Sequence, residues 1–182
     1  MEYTMTIAGL ERQLPLCKVT DDLYIAGFIM FNDVEITEEC AKQLLAQAPD
    51  FDILITAESK GIPLCYEMAR QSGKPYIVAR KGLKIYMQDA TIVHVKSITT
   101  SHVQTLCLGA SERNLMKDKK VLIVDDVIST GESLNALEQL VDTVGAEIVG
   151  KFAVLAEGEA ADRDDITFLD YLPLFNADGT PQ

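Results

Sequence analysis

The most informative segment of the sequence is Val121-Leu-Ile-Val-Asp-Asp-Val-Ile-Ser-Thr-Gly-Glu-Ser133. Its first four residues are apolar and mostly β-branched, which is typical of a central strand of a parallel sheet that is buried on both faces. Ligands of such sheets bind at the carboxyl ends of the strands. Asp125 and Asp126 are therefore predicted to lie at the edge of a binding crevice.

The turn that follows the two acids opens an amphipathic helix. Unpaired backbone N–H groups and the helix dipole make such a turn a binding site for phosphate. Carboxylates repel phosphate, so a ligand with a phosphate at one end and a diol near the other explains both features, and a phosphorylated ribose fits. The predicted phosphate ligands are Ser129, Thr130, Gly131, Glu132 and Ser133.

The whole stretch resembles the phosphoribosyl-pyrophosphate motif of the type I phosphoribosyltransferases. A Walker-type nucleotide loop is disfavoured, because no Gly-Lys-Ser or Gly-Lys-Thr follows a glycine-rich stretch. The resemblance implies the fold of that family, which is an α/β fold with a mostly parallel central sheet flanked by helices, a flexible hairpin lid and a small N-terminal hood. It also implies Mg²⁺, held mainly by the substrate and indirectly by Asp125 and Asp126, the predicted catalytic acids.

The turn Glu58-Ser59-Lys60-Gly61 is the second predicted site. It lies between a strand pattern and a helix that includes Pro63, so its N–H groups can receive an anion, and Lys60 adds a charge. Ser-Lys-Gly-Ile-Pro-Leu resembles the pyrophosphate loop of the family, particularly in its orotate branch. That resemblance implies a catalytic role for Lys60 and a cis peptide bond, expected between Ser59 and Lys60.

Arg80 and Lys81 form a third predicted site, a basic pair at the end of a strand that can bind pyrophosphate. Val-Ala-Arg-Lys is similar to the matching segment of adenine and xanthine phosphoribosyltransferases and of a purine repressor with the same fold. Residues 91–108 read as a hairpin. By the same resemblance this hairpin is the lid, and it would bring Ser101 and His102 over the substrate.

Strand and helix patterns alternate along the chain and predict a β-α-β-α-β order. Thr37 is predicted to cap the first helix. The chain is expected to be a single domain, with a hood at residues 1–35, a core at 36–165 and a tail at 166–182. The resemblance covers the core, and neither the hood nor the tail carries a recognised motif.

Composition fits one globular domain of 182 residues, 48% of them hydrophobic. No apolar run approaches the ~20 residues that cross a bilayer, and no secretory signal is evident, so we expect a cytoplasmic protein without membrane contact. A net charge of −12 argues against a nucleic-acid partner. The four cysteines read as buried free thiols, and the resemblance implies a homodimer.

The predicted function is transfer of phosphoribosyl to a purine base, giving nucleoside monophosphate and pyrophosphate in purine salvage. By the same resemblance, Ser129 stands where hypoxanthine and guanine enzymes carry an acid, the stretch Ala156-Glu157-Gly158 lacks the lysine of xanthine enzymes, and Glu157 loosely fits an acidic segment of adenine enzymes, so adenine is preferred. Phe28 is a candidate for stacking on the base by its position, and Arg163 matches only loosely the Gly-Arg pair of adenine enzymes. The alternatives are transfer to xanthine or orotate, or a non-catalytic protein that senses phosphoribosyl pyrophosphate.

Overall fold

The computed structural model describes residues 1–87, 89–96 and 103–182. Its centre is a sheet of five strands in the order β10-β9-β8-β4-β5, and every neighbouring pair is parallel. The five strands are β4 (Ile53–Ala57), β5 (Tyr76–Ala79), β8 (Lys120–Ile128), β9 (Glu147–Glu157) and β10 (Thr167–Leu172). The prediction of a mostly parallel central sheet is confirmed.

The central strand β8 is apolar on both faces because helices cover both faces of the sheet. Leu122 and Val124 pack into one core with α1 (Val34–Leu45) and α2 (Ile62–Ser72). Val121 and Ile123 pack into a second core with α4 (Glu132–Val144). Because side chains alternate between two buried layers, residues 121–124 of β8 are all apolar.

The first helix begins earlier than the sequence predicted. The N-cap of α1 is Asp33, whose carboxylate accepts a hydrogen bond from the Ile36 N–H at 3.2 Å. Thr37 is therefore not the cap: it is a buried residue of the first turn, and its hydroxyl donates to the Asp33 carbonyl at 2.7 Å. Asp33 can accept from the helix and from Arg12 at the same time, which explains why the acid caps the helix.

The N-terminal residues form a three-stranded antiparallel sheet of β1 (Glu2–Ile7), β2 (Leu10–Lys18) and β3 (Tyr24–Ala26). The C-terminal residues hold this hood sheet to the core. Tyr24 and Phe175 exchange backbone hydrogen bonds of 2.9 Å, and the Asp170 carboxylate accepts from the Ala8 N–H at 3.2 Å. The expected tail thus braces the hood, and its first part is β10, an edge strand of the central sheet.

An antiparallel hairpin of β6 (Thr91–Lys96) and β7 (Val103–Leu108) leaves the core after β5. Arg80 and Cys107 exchange backbone hydrogen bonds of 3.0 and 2.8 Å, which fasten the base of the hairpin beside the end of β5. The predicted hairpin is confirmed. Its expected tip, with Ser101 and His102, lies outside the described residues.

Two further features complete the fold. A short helix, α3 (Ala110–Met116), joins the hairpin to β8 and was not predicted. Cys40, Cys65 and Cys107 are buried free thiols as predicted, but Cys17 is exposed because it lies near the end of β2 in the hood sheet. Within the described residues, no helix is both long enough and apolar enough to span a membrane.

Candidate active site

The predicted site segments meet because of the order of the strands. The chain leaves β4 toward β5 on one side, while β8 lies on the other side, so the chain reverses its direction across the sheet between β4 and β8. Crevices form at such switch points, outside the carboxyl ends of the strands. The pairing of Ala57 with Ala79 and of Ile55 with Ile123 brings the ends of β5 and β8 beside the turn that follows β4.

The acid pair lies inside β8, which continues to Ile128. The Asp126 N–H donates to Asp125 Oδ1 at 3.0 Å. Burial is the main cause that raises the pKa of Asp125 above its ordinary value, and the negative charge of Asp126 is the second cause. Asp126 is 4% exposed, and its Oδ2 is buried with no hydrogen-bond partner among the described residues. A buried acceptor without a partner is costly, so Asp126 is suited to accept hydrogen bonds from a ligand.

The turn after β4 lies directly against this pair. Lys60 Nζ is 3.9 Å from Asp126 Oδ2, which is close enough for attraction but too far for a hydrogen bond. A Cβ built on Gly61 would come within 2.5 Å of Thr56 Oγ1 and 2.9 Å of Asp125 Oδ1. Only glycine allows the turn to approach the acids this closely.

The expected position of the cis peptide is wrong by one residue. The cis bond joins Glu58 to Ser59, and not Ser59 to Lys60. The reason is that β4 pairing ends at Ala57 and the Glu58 N–H still donates to the Ala79 carbonyl at 2.9 Å. The chain therefore turns immediately after Glu58.

Glu58 connects the turn to the basic pair. Its carboxylate accepts from the Lys81 N–H at 3.0 Å and lies 3.6 Å from Arg80 Nη2. The hydrogen bond from Lys81, assisted by the charge of Arg80, lowers the pKa of Glu58. Glu58 is thus a brace that orients the basic pair. Arg80 Nε is buried and has no hydrogen-bond partner in the described part of the chain.

The predicted phosphate cradle opens α4. Ser129 and Thr130 are exposed, and Gly131 is the N-cap in the left-handed conformation with φ of 77°. Residues 125 and 127–134 line a small cavity of about 130 Å³. Glu132 and Ser133 begin the helix, so the first-turn N–H groups lie at the cavity, as an anion site requires.

Arg163 lies near the site, although the sequence matched it only loosely to the Gly-Arg pair of adenine enzymes and gave it no role. A Cβ on Gly131 would lie 2.7 Å from Arg163 Nη1, so the guanidinium reaches the cradle from the connection between β9 and β10. The two residues are 32 positions apart, and no local pattern links them. Only the placement of β9 beside β8 brings them together.

The two residues predicted to contact the base lie in different environments. Glu157 ends β9, and the pairing of Ile128 with Ala156 sets it beside the start of the cradle. Phe28 is 4% exposed and packs in the core shared by the hood, α1 and α2. The packing of Phe28 is a structural role, and its stacking on a base stays a prediction.

The acid pair fits the magnesium that the resemblance implies only as a partial ligand set. Mg²⁺ requires six oxygen ligands at near-octahedral positions. The described residues form no group of three or more acidic, histidine or cysteine side chains that could hold a metal. Asp126 Oδ2, which has no hydrogen-bond partner among the described residues, is a suitable oxygen, directly or through water, and the other ligands would have to come from substrate oxygens and water.

The phosphoribosyl transferase domain family matches residues 32–178, which is most of the chain. The purine biosynthesis transcriptional repressor of Bacillus subtilis is 30% identical over 114 residues, 63% of this chain and 39% of the repressor. Xanthine phosphoribosyltransferase of Exiguobacterium is 31% identical over 63% of this chain and 59% of its own length. Hypoxanthine/guanine phosphoribosyltransferase of Methanococcus voltae is 33% identical over 72% and 67%.

The fold agrees with solved structures. Adenine phosphoribosyltransferase of Saccharomyces cerevisiae, in a complex with adenine, superposes with a TM-score of 0.69 at 17% identity, over 86% of this chain and 92% of that one. The fold is therefore that of the type I phosphoribosyltransferases. The protein belongs to the phosphoribosyl transferase domain family, and its similarity is to the purine members of that family.

Proposed function

We propose that this protein is a Mg²⁺-dependent purine phosphoribosyltransferase that transfers phosphoribosyl from phosphoribosyl pyrophosphate to a free base. One observation carries the proposal: the acid pair, the Lys60 turn and the phosphate cradle share one switch point, with Lys60 Nζ 3.9 Å from Asp126 Oδ2. A ligand with a 5′-phosphate, a diol and a pyrophosphate needs these three chemistries: the cradle for the phosphate, the acid pair for the diol and the Lys60 turn for the pyrophosphate. The matched segment spans only 39% and 59% of the repressor and the xanthine enzyme, so the activity is inferred from this chain's own residues.

Each group has a separate task in the proposed reaction. The cradle binds the 5′-phosphate, and Asp125 and Asp126 accept hydrogen bonds from the ribose hydroxyls. Lys60, Arg80 and Lys81 stabilise the negative charge that develops on pyrophosphate as the bond to C1′ loosens. Magnesium, when bound, would neutralise charge on the leaving group. Binding of the remote phosphate then helps to hold C1′ in place for attack by a base nitrogen.

Adenine is the base that we propose. Relatives named for xanthine and for hypoxanthine/guanine have similar identities, so the choice rests on residues at the base edge of the site. Glu157 is an acceptor, which suits an amino or N–H donor, and an oxo group facing it would bury two acceptors together. Ser129 lacks the carboxylate expected for 6-oxopurines. The product would be adenosine monophosphate, and we propose that the reaction serves purine salvage in the cytoplasm.

A sensor of phosphoribosyl pyrophosphate without catalysis is the second candidate. The observation that favours it is the similarity to a transcriptional repressor, which extends over 63% of this chain. A sensor would need the cradle and the acid pair but no base site. The two functions therefore differ in turnover and not in binding of phosphoribosyl pyrophosphate.

We also propose that the chain forms a homodimer through an apolar groove between the start of α1 and the exposed side of α2. The groove has a volume of about 780 Å³, and Phe31, Val34 and Tyr66 are 43%, 75% and 52% exposed in its wall. Contiguous exposed apolar surface favours a protein interface. A two-fold interface brings one patch against its own copy, and sedimentation of Val34→Glu beside the wild type tests this assignment.

The experiment that tests the function is a turnover panel. Adenine, hypoxanthine, guanine, xanthine and orotate are each incubated with phosphoribosyl pyrophosphate and magnesium, and release of pyrophosphate is measured together with the nucleotide formed. We expect the highest kcat/KM with adenine. A faster reaction with another base overturns the choice of base, and tight binding of phosphoribosyl pyrophosphate without turnover on any base supports the sensor.

A further inference from the structure

The phosphate cradle contains no cation of its own. Residues 125–133 include three acids, Asp125, Asp126 and Glu132, and no lysine or arginine. A 5′-phosphate carries up to two negative charges, and the backbone N–H groups of one helix turn supply only partial charges. The net charge of the surrounding segment therefore opposes the ligand that the N–H groups attract.

Arg163 brings a full positive charge to this position from a distant part of the sequence. Gly131 is the N-cap of α4, and a Cβ atom built on it would lie only 2.7 Å from Arg163 Nη1. The absence of a side chain at Gly131 is what lets the guanidinium reach the first turn of the helix. The Arg163 side chain is 29% exposed, so it is accessible to a ligand in the cradle.

A chain of ion pairs fixes the direction of the guanidinium. Arg163 Nε and Nη2 each donate to the Asp165 carboxylate at 2.8 Å, which is a bidentate arrangement. Lys151 Nζ also lies 2.7 Å from Asp165 Oδ2 and pairs with Glu138 of α4. Because Asp165 holds one edge of the guanidinium, Nη1 is the nitrogen that remains directed toward the cradle.

From this geometry we infer that Arg163 binds the 5′-phosphate of the ligand through Nη1, and that Asp165 is the residue that positions it. The inference rests on the proposed function, because it assumes that the cradle holds a 5′-phosphate. It adds a charged ligand that lies 30 residues beyond the end of the cradle motif. Arginine suits this role because its planar group can hold Asp165 on one edge and phosphate with the remaining nitrogen.

The test compares ligands that contain or lack the 5′-phosphate. Binding of ribose 5-phosphate and of magnesium pyrophosphate is measured by calorimetry for the wild type, Arg163→Gln and Arg163→Lys. Loss of one charge-assisted hydrogen bond predicts about ten- to hundredfold weaker ribose 5-phosphate binding in Arg163→Gln. Arg163→Lys should recover part of it, and pyrophosphate binding should stay at the wild-type value.

Asp165→Asn is the second variant, because it keeps the shape of the side chain and the Arg163 residue but weakens the bidentate pair that fixes the direction of the guanidinium. It should weaken the binding of ribose 5-phosphate less than Arg163→Gln does, and the affinity for pyrophosphate should again stay unchanged. Equal weakening of both ligands in Arg163→Gln would mean a structural role and would overturn the inference, as would unchanged binding of ribose 5-phosphate. A wild-type protein that binds neither ribose 5-phosphate nor phosphoribosyl pyrophosphate would instead overturn the proposed function itself.

Discussion

The Lys60 ammonium lies 3.9 Å from Asp126 Oδ2, and this contact joins the turn after β4 to the acid pair of β8. Lys60 is half exposed and Asp126 is buried, so the lysine is the partner that a ligand can displace. An attraction at this distance, without a hydrogen bond, contributes little to folding. Lys60 is therefore available to a negatively charged ligand.

Lys60→Ala should weaken the binding of phosphoribosyl pyrophosphate much more than that of adenosine monophosphate, since only the first ligand carries pyrophosphate. The difference should be on the order of tenfold or more, as for the loss of a charge-assisted hydrogen bond. Lys74→Ala, just beyond the C-terminal end of α2, removes the same charge away from the site and should change neither affinity. An equal loss for both ligands would show that Lys60 supports the fold.

Gly61→Ala should disturb the site at its tightest point. The new Cβ would meet Thr56 Oγ1 at 2.5 Å and Asp125 Oδ1 at 2.9 Å, so the turn or the acid has to move. We expect destabilisation of about 1–3 kcal/mol, as for other overpacked sites, together with loss of binding of phosphoribosyl pyrophosphate. Gly82→Ala meets no atom within 4 Å and serves as the control in thermal unfolding. Wild-type stability and affinity in Gly61→Ala would contradict the close approach.

Glu157→Gln tests the base edge of the site. The amide keeps the shape of the carboxylate but can donate a hydrogen bond, so an oxo group is no longer opposed by an acceptor alone. The ratio of kcat/KM for adenine to that for hypoxanthine should fall by about tenfold. Glu159→Gln changes an exposed acid two residues further on and should leave the ratio unchanged. If the ratio in Glu157→Gln equals that of Glu159→Gln and the wild type, Glu157 takes no part in base recognition.

Asp33 should stabilise the fold in a pH-dependent way. Its hydrogen bond from Arg12, and then that from the Ile36 N–H, lower its pKa in the folded state. A lowered pKa gives stability that is present above the unfolded value of about 3.9 and is lost as pH falls through the folded value. Asp33→Ala should cost about 1–2 kcal/mol at neutral pH, measured by denaturant unfolding.

Asp33→Asn separates the cap from the charge in the same measurement. Asparagine still accepts from the helix N–H groups, so this variant should lose less stability than Asp33→Ala at neutral pH. Its deficit relative to the wild type should shrink as the pH falls from about 4, the unfolded pKa, toward the lowered pKa of the folded wild-type carboxylate, because the contribution of the charge is lost over that range. A deficit that is constant from pH 7 to pH 3 would mean that the ion pair with Arg12 contributes nothing.

Sequence patterns predicted the parts of the fold that depend on local periodicity. The apolar runs of β4, β5 and β8, the buried face of α4 and the hairpin of β6 and β7 all follow from such patterns. Thr37 was mistaken for a cap because Thr and Asp are both good N-caps. The interaction that favours Asp33 comes from Arg12 in β2 of the hood sheet, which local sequence does not reveal.

Long-range geometry explains what the site prediction missed. The acids, the Lys60 turn and the cradle carry their own chemistry in short motifs, so their meeting could be predicted from the rules of parallel sheets. Arg163 reaches Gly131 only because β9 lies beside β8, and its loose match to a Gly-Arg pair gave no indication of this contact. Phe28 was chosen by position alone, and its burial depends on packing of the hood against α1 and α2.

The most direct test of the account is binding of phosphoribosyl pyrophosphate with magnesium to the double variant Asp125→Asn, Asp126→Asn. Replacement keeps the shape and removes two charged acceptors, each contributing about 1.5–3 kcal/mol in a charged hydrogen bond. The fold should remain, because burial already opposes the charge on Asp125. The exposed pair Asp21→Asn, Asp22→Asn is the control. Calorimetry should show affinity lower by a few kcal/mol in the first variant only; wild-type affinity there would contradict the account.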